Sequence, residues 1–551
     1  MTSYVTPPLL LDGGPNRFTR QVERLLGQLG FRDVVNIDGS GDSGGDLLGT
    51  RNGRLWVFQA KWKIRGTVPA TAVDEVSRAW DHYGADRAAV VTNVKPSADA
   101  LQRTHELARI NRDIKLWSGT DLQGLYAAAE EHPALRLRDY QDAAVSALWA
   151  DLTQRRRALL ILATGLGKTV VGGEVIGRFL REHRDEDVLV VAHTKELVNQ
   201  LERALWRHLP KAVKTQVLTG DDRPKDLHGV TCATVASALD AVLRGWRPGL
   251  VMIDETHHVG DDGRFDQLLT EVDAAQQFGV TATPWRNDKY DIETRFGVAS
   301  YKLGIEEGMR RGYLAAVNYR LFIDNIDWDA VRGASTHRYS IKELNSKLFL
   351  VQRDEAVVDA LLEAWNSIRS PRGIVFCQTI QHCEHLQELL RRQPAWRHAA
   401  ALHTDLPKRE RQQRLLDFRA GRIPLLTAVD ILNEGVDVPD VNILAFARVT
   451  HSRRIFVQQL GRGLRLRDGK ESVLALDFVS DIRRVAALLK LKRQLGKEEL
   501  EVLPHVPQTR IEFNDLRAES LLEQWILDAA DLETANDEAR LQFLDPDALP
   551  A

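Results

Sequence analysis

Three short stretches of this 551-residue chain carry side chains suited to cleaving a phosphoanhydride bond. In chain order they are Ala163–Thr169 (ATGLGKT), Asp254–His258 (DETHH) and Gln458–Arg465 (QQLGRGLR). The first offers glycines and a lysine for phosphates, the second offers paired carboxylates for magnesium and an attacking water, and the third offers arginines. Transfer of a phosphoryl group depends on positioned charge of these three kinds. The set therefore predicts an ATPase.

The first stretch follows a short apolar run, Arg157–Ala163, which is typical of a buried parallel strand. Its two glycines let backbone N–H groups turn toward an anion, and the helix predicted from Lys168 points its N-terminus at the same place. We expect Lys168 to contact the β- and γ-phosphates and the Thr169 hydroxyl to bind Mg²⁺. The residues of this loop predicted to bind ATP are Thr164, Gly165, Gly167, Lys168 and Thr169.

The second stretch ends another apolar run, Gly249–Glu255. Ligands of open α/β sheets bind at the carboxyl ends of the strands, which is where these two acids fall. We expect Asp254 to hold magnesium through its water shell and Glu255 to orient and deprotonate the attacking water. His257, two residues after Glu255, is predicted to have a coupling role, with a purely structural histidine as the alternative.

The third stretch belongs to a second α/β unit, which begins near residue 316. Arg462 and Arg465 lie three residues apart and therefore on one helical face. Their charge and fork geometry suit a γ-phosphate, which predicts a catalytic role for both arginines. A solvated basic face is the alternative, but it would not explain the upstream pattern Gly435-x-Asp437-x-Pro439.

With these motifs in order, residues from about 135 to 480 resemble the two RecA-type lobes of a superfamily 2 DNA helicase or translocase. The similarity is to the branch that contains XPB-like motors and the motor subunits of type I and type III restriction enzymes. Leu162 stands where the strict phosphate-loop pattern has glycine, and this departure fits the ATGxGKT version of the superfamily. The resemblance implies four further ATP-binding residues: Arg138 and Gln141 at the adenine, and Gly435 and Asp437 in the second lobe.

The same resemblance implies roles for three segments of the first lobe. Val191–Leu197 and Cys232–Thr234 match motifs that contact a nucleic-acid strand. Thr281–Pro284 resembles the motif that links the state of the bound nucleotide to movement of the lobes.

A separate set of polar side chains, Asp46, Gln59 and Lys61, lies near the front of the chain. Asn52-Gly53 between two extended runs predicts a hairpin. Because side chains alternate along a strand, Gln59 and Lys61 share a face that Asp46 can reach from the paired strand. An acid, a second oxygen ligand and a lysine in this order predict a Mg²⁺-dependent phosphodiesterase site. There the acid and the metal activate water, and the ammonium stabilises the phosphate.

Residues 17–125 resemble the Mrr family of restriction-endonuclease-like domains, whose D…QxK core has Gln where other nucleases have Glu or Asp. The later segments Ala88–Asn93 and Ile114–Leu122 match strands and helices of that fold. The resemblance implies a DNA endonuclease with Asp46, Gln59 and Lys61 as catalytic residues and Asp46 as a metal ligand. Two alternatives stay open: surface residues of an unrelated α/β domain, or a nuclease fold that binds DNA without cutting it.

The composition, 44% hydrophobic and 27% charged, is that of an ordinary globular protein. No run of 18 apolar residues suggests a membrane span, and the first residues lack the basic stretch of a signal peptide. Cys232, Cys377 and Cys383 match neither a disulfide framework nor a zinc site. These features predict a cytoplasmic protein with no membrane partner.

The net charge of −3 does not by itself indicate a nucleic-acid partner. A motor needs only a local basic track, and residues 483–497, which lack acids, supply a candidate. Residues 511–551 hold eleven Asp and Glu against two Arg, and the apolar set around Trp525 predicts that this tail docks as an amphipathic helix. For both charged segments, a solvated face is the favoured interpretation.

The predicted fold class is α/β, with a restriction-endonuclease-like α/β domain, two RecA-like lobes built on parallel sheets and a mostly helical C-terminal segment. The predicted boundaries are residues 1–126 for the nuclease domain, 127–134 for a linker, 135–315 and 316–482 for the lobes, and 483–551 for the C-terminal region.

We therefore expect an ATP-dependent DNA helicase or translocase with a Mg²⁺-dependent endonuclease domain, serving restriction of foreign DNA such as antiphage defence. Two alternatives are a DNA-repair helicase-nuclease and an ATP-driven remodeller whose front domain only binds DNA. RNA is the less favoured partner, although phosphate contacts read backbone geometry rather than bases. Double-strand cleavage needs two nuclease sites, which would require a homodimer or a partner protein.

Overall fold

The computed structural model describes residues 4–37, 44–131, 135–259, 263–282, 292–322, 338–340, 354–429, 441–447, 472–478 and 540–542. The chain divides into two units. The first holds Met1–Leu160, Gly167–Thr281 and Tyr290–Tyr301, and the second holds Ile161–Leu166, Ala282–Lys289 and Lys302–Ala551.

The front of the first unit is a mixed sheet of five strands, ordered β1-β2-β3-β5-β7. The strands are β1 (Arg32–Asn36), β2 (Leu47–Arg51), β3 (Arg54–Lys61), β5 (Arg87–Thr92) and β7 (Ile114–Trp117), with β4 (Thr67–Val68) and β6 (Lys95–Pro96) forming a separate parallel pair. The accompanying helices are α1 (Pro7–Leu11), α2 (Gly14–Gln28), α3 (Ala70–Tyr83), α4 (Ala98–Ala108) and α5 (Gly119–Ala128). The first two strand pairs are antiparallel, and β3-β5 and β5-β7 are parallel.

The hairpin predicted at Asn52-Gly53 is confirmed, since β2 and β3 pair on either side of it. Both turn residues have positive φ angles, 52° and 72°, as a type I′ turn requires. Helix α2 is amphipathic and buries Phe18, Val22 and Leu26 against the sheet residue Phe58. The turn and this helix together fix which face of β3 points to the polar cluster.

The rest of the first unit is built around a sheet of seven strands, ordered β10-β11-β9-β12-β13-β8-β14. The strands are β8 (Arg157–Leu162), β9 (Val188–Ala192), β10 (Thr215–Leu218), β11 (Val230–Thr234), β12 (Leu250–Asp254), β13 (Gln276–Thr281) and β14 (Tyr301–Leu303). The helices are α6 (Asp139–Arg155), α7 (Lys168–Glu182), α8 (Lys195–Leu205), α9 (Val235–Leu243), α10 (Arg264–Glu271), α11 (Glu293–Phe296) and, in the second unit, α12 (Ile305–Arg310). The pairs among β9 to β13 run parallel, as the apolar runs predicted.

The second unit contains a sheet of six strands, ordered β15-β21-β20-β17-β19-β18 and parallel in each adjacent pair. The strands are β15 (Ala316–Phe322), β17 (Gly373–Cys377), β18 (Ala400–Leu402), β19 (Leu425–Ala428), β20 (Ile443–Ala447) and β21 (Ser472–Phe478). The helices are α13 (Asp354–Ser367), α14 (Ile380–Arg391) and α15 (Lys408–Arg419). This sheet confirms a second parallel α/β lobe.

Within the predicted helical region 483–551, the structure describes residues 540–542, and these form a strand, β22 (Arg540–Gln542). It pairs antiparallel with β16 (Arg338–Ser340). The basic track 483–497 and the predicted helix around Trp525 lie outside the described residues. Among the helices of the described ranges, none is long and apolar enough to cross a bilayer.

A charged surface joins the nuclease-like sheet to the first lobe within the first unit. From α2, Glu23 pairs with Arg203 of α8, with 2.6 Å between Oε1 and Nε. Arg24 donates to the Val213 carbonyl at 2.6 Å, and Arg20 pairs with Glu202 and Asp222. Glu23, Arg24 and Glu202 are all buried. Residues 127–134 were predicted as a simple linker, and these ion pairs show that the two domains also pack directly against each other.

This charged surface gives a testable expectation. Burial raises the pKa of Glu23 although Arg203 opposes the shift, so Glu23 depends on its cationic partner. Arg203→Glu should therefore lower the free energy of unfolding by ~3 kcal/mol. This value is at the low end of the range for breaking a buried ion pair, because the Arg203 side chain is 36% exposed. The double variant Glu23→Arg/Arg203→Glu should recover much of that loss in a thermal-unfolding measurement.

The matched control is the exposed pair Asp240–Arg244, which joins α9 to the residue that follows it. Its reversal, Asp240→Arg/Arg244→Glu, and the single Arg244→Glu should each change stability by less than ~1 kcal/mol. If Arg203→Glu is as mild as Arg244→Glu, the surface on α2 does not hold the two domains together.

Candidate active sites

The loop predicted to bind phosphate connects the buried strand β8 to helix α7. Gly165 and Gly167 have φ angles of +94° and +91°, so both use backbone conformations that side chains disfavour. A Cβ atom on Gly167 would also lie 2.7 Å from Gln141 Nε2, so a side chain there would displace that amide. Lys168 opens α7, with Thr169 next to it in the first helical turn. The unpaired N–H groups of this turn are the feature that anions favour.

The predicted lysine and the predicted base meet in the structure. Lys168 Nζ lies 3.0 Å from Glu255 Oε1, and the two side chains are only 12% and 14% exposed. Asp254 is buried at the end of β12. Glu255 has a φ of +49°, a left-handed conformation that costs a non-glycine residue roughly 1–3 kcal/mol. Such a conformation persists only when its surroundings enforce it, and here it carries the carboxylate to Lys168.

His257 also contacts the Glu255 carboxylate. Its Nδ1 lies 3.3 Å from Glu255 Oε2 and 3.1 Å from Thr281 Oγ1, at the end of β13. Burial alone would raise the pKa of Glu255, but Lys168 and His257 outweigh it and hold that pKa well below its usual range. The carboxylate is therefore ionised at neutral pH, as a proton acceptor must be before it acts.

Two further histidines extend from this carboxylate. The ring of His258 lies 4.4 Å from that of His257 and 3.9 Å from that of His193, centroid to centroid, and is tilted against both. His193 follows β9 in one of the segments that resembles a strand-contacting motif. The sequence spacing did not predict the contact between His193 and His258, because this contact depends on how β9 and β12 pair in the sheet.

The two residues implied at the adenine lie at the start of α6. Gln141 is buried, and its Oε1 accepts a hydrogen bond from the Arg138 backbone N–H at 3.1 Å. Its Nε2 is the atom closest to Gly167, so this amide lies beside the phosphate loop. Four other predicted site residues lie outside the described part of the chain: Gly435, Asp437, Arg462 and Arg465.

The second candidate site lies on the nuclease-like sheet. Gln59 Nε2 donates to Asp46 Oδ2 at 2.7 Å, and the Ala60 backbone N–H donates to the same oxygen at 2.5 Å. Gln59 is 3% exposed, and its Oε1 has no hydrogen-bond partner among the described residues. A buried, unpaired amide oxygen beside a carboxylate fits a divalent cation, which prefers oxygen ligands. Within the described ranges no three His, Cys, Asp or Glu side chains converge. A metal here would therefore need an amide oxygen.

Lys61 lies on the same face of β3 as Gln59, as the alternation predicted. Its ammonium is 2.6 Å from Oε2 of Glu75, on α3. Glu75 was not predicted from the sequence, because Lys61 is on β3 and Glu75 is on the following helix, and the two meet only when α3 packs on the strand. The only signal was an acidic residue early in the helix that follows the strand.

Comparison with known proteins divides the chain into three successive matches. Residues 11–126 match the family described as restriction endonuclease. Residues 134–286 match type III restriction enzyme, res subunit, and residues 353–467 match helicase conserved C-terminal domain. The chain thus joins a domain of the Mrr-like restriction-endonuclease family to the two domains of a superfamily 2 helicase.

Within that class, the matched relatives are XPB-like and restriction-type motors. A Schizosaccharomyces pombe protein named as a mitochondrial ATP-dependent helicase, irc3, is 29% identical over 64% of this chain and 59% of its own length. The DNA 3'-5' translocase XPB2 of Sulfurisphaera tokodaii is 26% identical over 62% of this chain and 81% of its own. The chain spans about three fifths of the length of the first curated relatives it matches.

The fold is shared with a solved structure of the ATP-dependent Type ISP restriction-modification enzyme LlaBIII bound to DNA. The TM-score is 0.56 at 15% identity, over 94% of this chain and 42% of that one. At this identity the likeness shows a shared fold.

Proposed function

We propose that this protein is an ATP-dependent DNA helicase or translocase with a Mg²⁺-dependent endonuclease domain, which acts in the cytoplasm in restriction of foreign DNA. The observation that carries the proposal is the presence of two separate hydrolytic clusters in one chain. Lys168 and Glu255 form one cluster, and Asp46, Gln59 and Lys61 form the other.

In the motor, ATP would be held by the glycine-lined loop and the start of α7, with Lys168 on the β- and γ-phosphates. Thr169 and Asp254 would hold Mg²⁺, which when bound neutralises phosphate charge. Arrival of the phosphates would draw Lys168 away from Glu255 and leave that carboxylate to orient a water and take its proton. Arg462 and Arg465 would meet the charge that develops on the γ-phosphate.

In the nuclease domain, Asp46 and the amide oxygen of Gln59 would hold Mg²⁺, which when bound polarises the phosphodiester and lowers the pKa of water. The Ala60 N–H and the Gln59 amide fix the orientation of Asp46. Lys61 would place its ammonium on the phosphate, where charge accumulates as the bond to the attacking oxygen forms.

Restriction is the favoured biological role because it joins a translocating motor to a DNA-cutting domain. One nuclease cluster per chain can nick one strand. Cleavage of both strands would therefore use a second copy of this chain or a partner protein.

A non-cutting remodeller is the second candidate, and one observation favours it. Lys61 is engaged by Glu75 at 2.6 Å, so its ammonium is neutralised within the domain. If that contact persists on DNA, the domain would bind DNA without cutting it.

The purified protein should be incubated with supercoiled, linear and single-stranded DNA, with and without ATP and Mg²⁺. Phosphate release and nicking should be scored in the same reactions. We expect phosphate release that DNA stimulates and nicking that requires a divalent metal. Stimulated phosphate release without nicking under any metal would favour the remodeller, and no stimulation by DNA would reject the motor.

A further inference from the structure

The nuclease cluster has a shortage of negative charge if Asp46 is its only acid. Most sites for Mg²⁺ use one or two carboxylates, and a glutamine supplies only a neutral oxygen. Lys61 adds a positive charge close by, which opposes binding of any cation. A second carboxylate near Lys61 would remove this difficulty.

Glu75 is such a carboxylate, and the fold holds it close to the other members of the cluster. Its Oε2 lies 2.6 Å from Lys61 Nζ, yet this oxygen is buried and the contact lacks hydrogen-bond geometry. The segment leading to Asp46 also packs on Glu75. A Cβ atom on Gly44 would lie 2.5 Å from the Glu75 carbonyl oxygen and 2.7 Å from its Cβ.

Two oxygens of this cluster are buried: Gln59 Oε1, which has no hydrogen-bond partner among the described residues, and Glu75 Oε2, which has the Lys61 ammonium 2.6 Å away. Burying the Gln59 oxygen without a partner is unfavourable unless a ligand satisfies it. Gln59 is hydrogen-bonded to Asp46, and Lys61 is ion-paired with Glu75. The Gln59 and Glu75 oxygens therefore belong to one site, on the face of β3 that Gln59 and Lys61 share.

We propose that Glu75 is the second carboxylate of the nuclease site and a ligand for its divalent cation. It neutralises Lys61 while no cation is bound and releases the ammonium to the phosphate when a cation arrives. This assignment rests on the proposed nuclease function. On this assignment, the contact between Lys61 and Glu75 is the resting state of a working site.

The test is direct binding of Mn²⁺ to the full-length protein without nucleotide, measured by electron paramagnetic resonance of the free ion. Every protein tested carries Asp254→Asn, so that the motor's acidic residue does not contribute. Glu75→Gln and Asp46→Asn should each weaken Mn²⁺ binding by about tenfold or more, the scale seen when a metal site loses a supporting group.

The matched control is Asp74→Asn, on the neighbouring residue of α3. Asp74 pairs with Arg103 at 2.8 Å and takes no part in the cluster, so Mn²⁺ binding should stay unchanged. Lys61→Met provides a test of opposite sign. It removes the cation that competes for Glu75, so it should tighten Mn²⁺ binding while abolishing nicking.

Each outcome decides the assignment. Weaker binding in Glu75→Gln, together with tighter binding in Lys61→Met, supports it. Binding that falls in Asp46→Asn but not in Glu75→Gln overturns it, with the nuclease function intact. If the Asp254→Asn protein with no further substitution binds no Mn²⁺ at millimolar concentration, Glu75 is not a ligand. The nicking assay then judges the nuclease function separately.

Discussion

Lys168→Ala is expected to abolish DNA-stimulated ATP hydrolysis. The ammonium is the main positive charge available to the β- and γ-phosphates, and loss of preorganised charge of this kind costs about 3–4 kcal/mol, or roughly 10²–10³ in rate. Phosphate release should be measured over a range of ATP concentrations with and without DNA. Stimulated release close to that of the unaltered protein would reject Lys168 as the phosphate-binding residue.

This variant needs a check on folding, because Lys168 is also the partner of Glu255. The Glu255 carboxylate still has His257 as a partner, with Nδ1 3.3 Å from Oε2. We therefore expect the variant to fold, with a modestly lower melting temperature. Lys225→Ala, on an exposed lysine of the same lobe, is the matched control and should leave both hydrolysis and melting unchanged.

Asp46→Ala is expected to remove DNA cleavage while sparing ATP hydrolysis. Asp46 is the acid that Gln59 and the Ala60 N–H hold in place, and its loss removes a charged ligand that a neutral amide cannot replace. The Gln59 amide and the Ala60 N–H that donate to Asp46 both lie on β3, which places the effect in the nuclease domain. Nicking and phosphate release should be assayed in one buffer.

Asp113→Ala controls for loss of a carboxylate from the same domain, since Asp113 is exposed and pairs with Lys115 at 2.8 Å. It should nick DNA normally. Undiminished nicking by Asp46→Ala would place the nuclease centre elsewhere, and loss of ATP hydrolysis in that variant would mean that the two activities cannot be separated.

Local patterns in the sequence predicted most of the fold. Apolar runs such as Gly249–Glu255 became central parallel strands, because a run buried on both faces has few other solutions. Asn52-Gly53 determined the hairpin, and that turn set the register that joins Asp46 to Gln59. The residues of a short, continuous motif themselves determine the backbone conformation that the motif requires.

Contacts between distant parts of the chain were not predictable in this way. Glu75 meets Lys61 only after α3 packs back on its strand, and His193 meets His258 only through the pairing of β9 with β12. The partners of α2 in the first lobe are likewise separated from it by far more chain than any periodicity spans. Such contacts arise from tertiary packing, and neither spacing nor propensity specifies them.

The charged surface beneath α2 limits how this architecture can be recombined. A foreign nuclease joined to this motor at residues 127–134 would cover Glu202 and Arg203 without their partners, and an uncompensated buried charge is costly. A successful exchange would have to carry counterparts of Arg20, Glu23 and Arg24 on its own first helix. The unit that can be inherited or transplanted intact is therefore the nuclease together with the lobe beneath it.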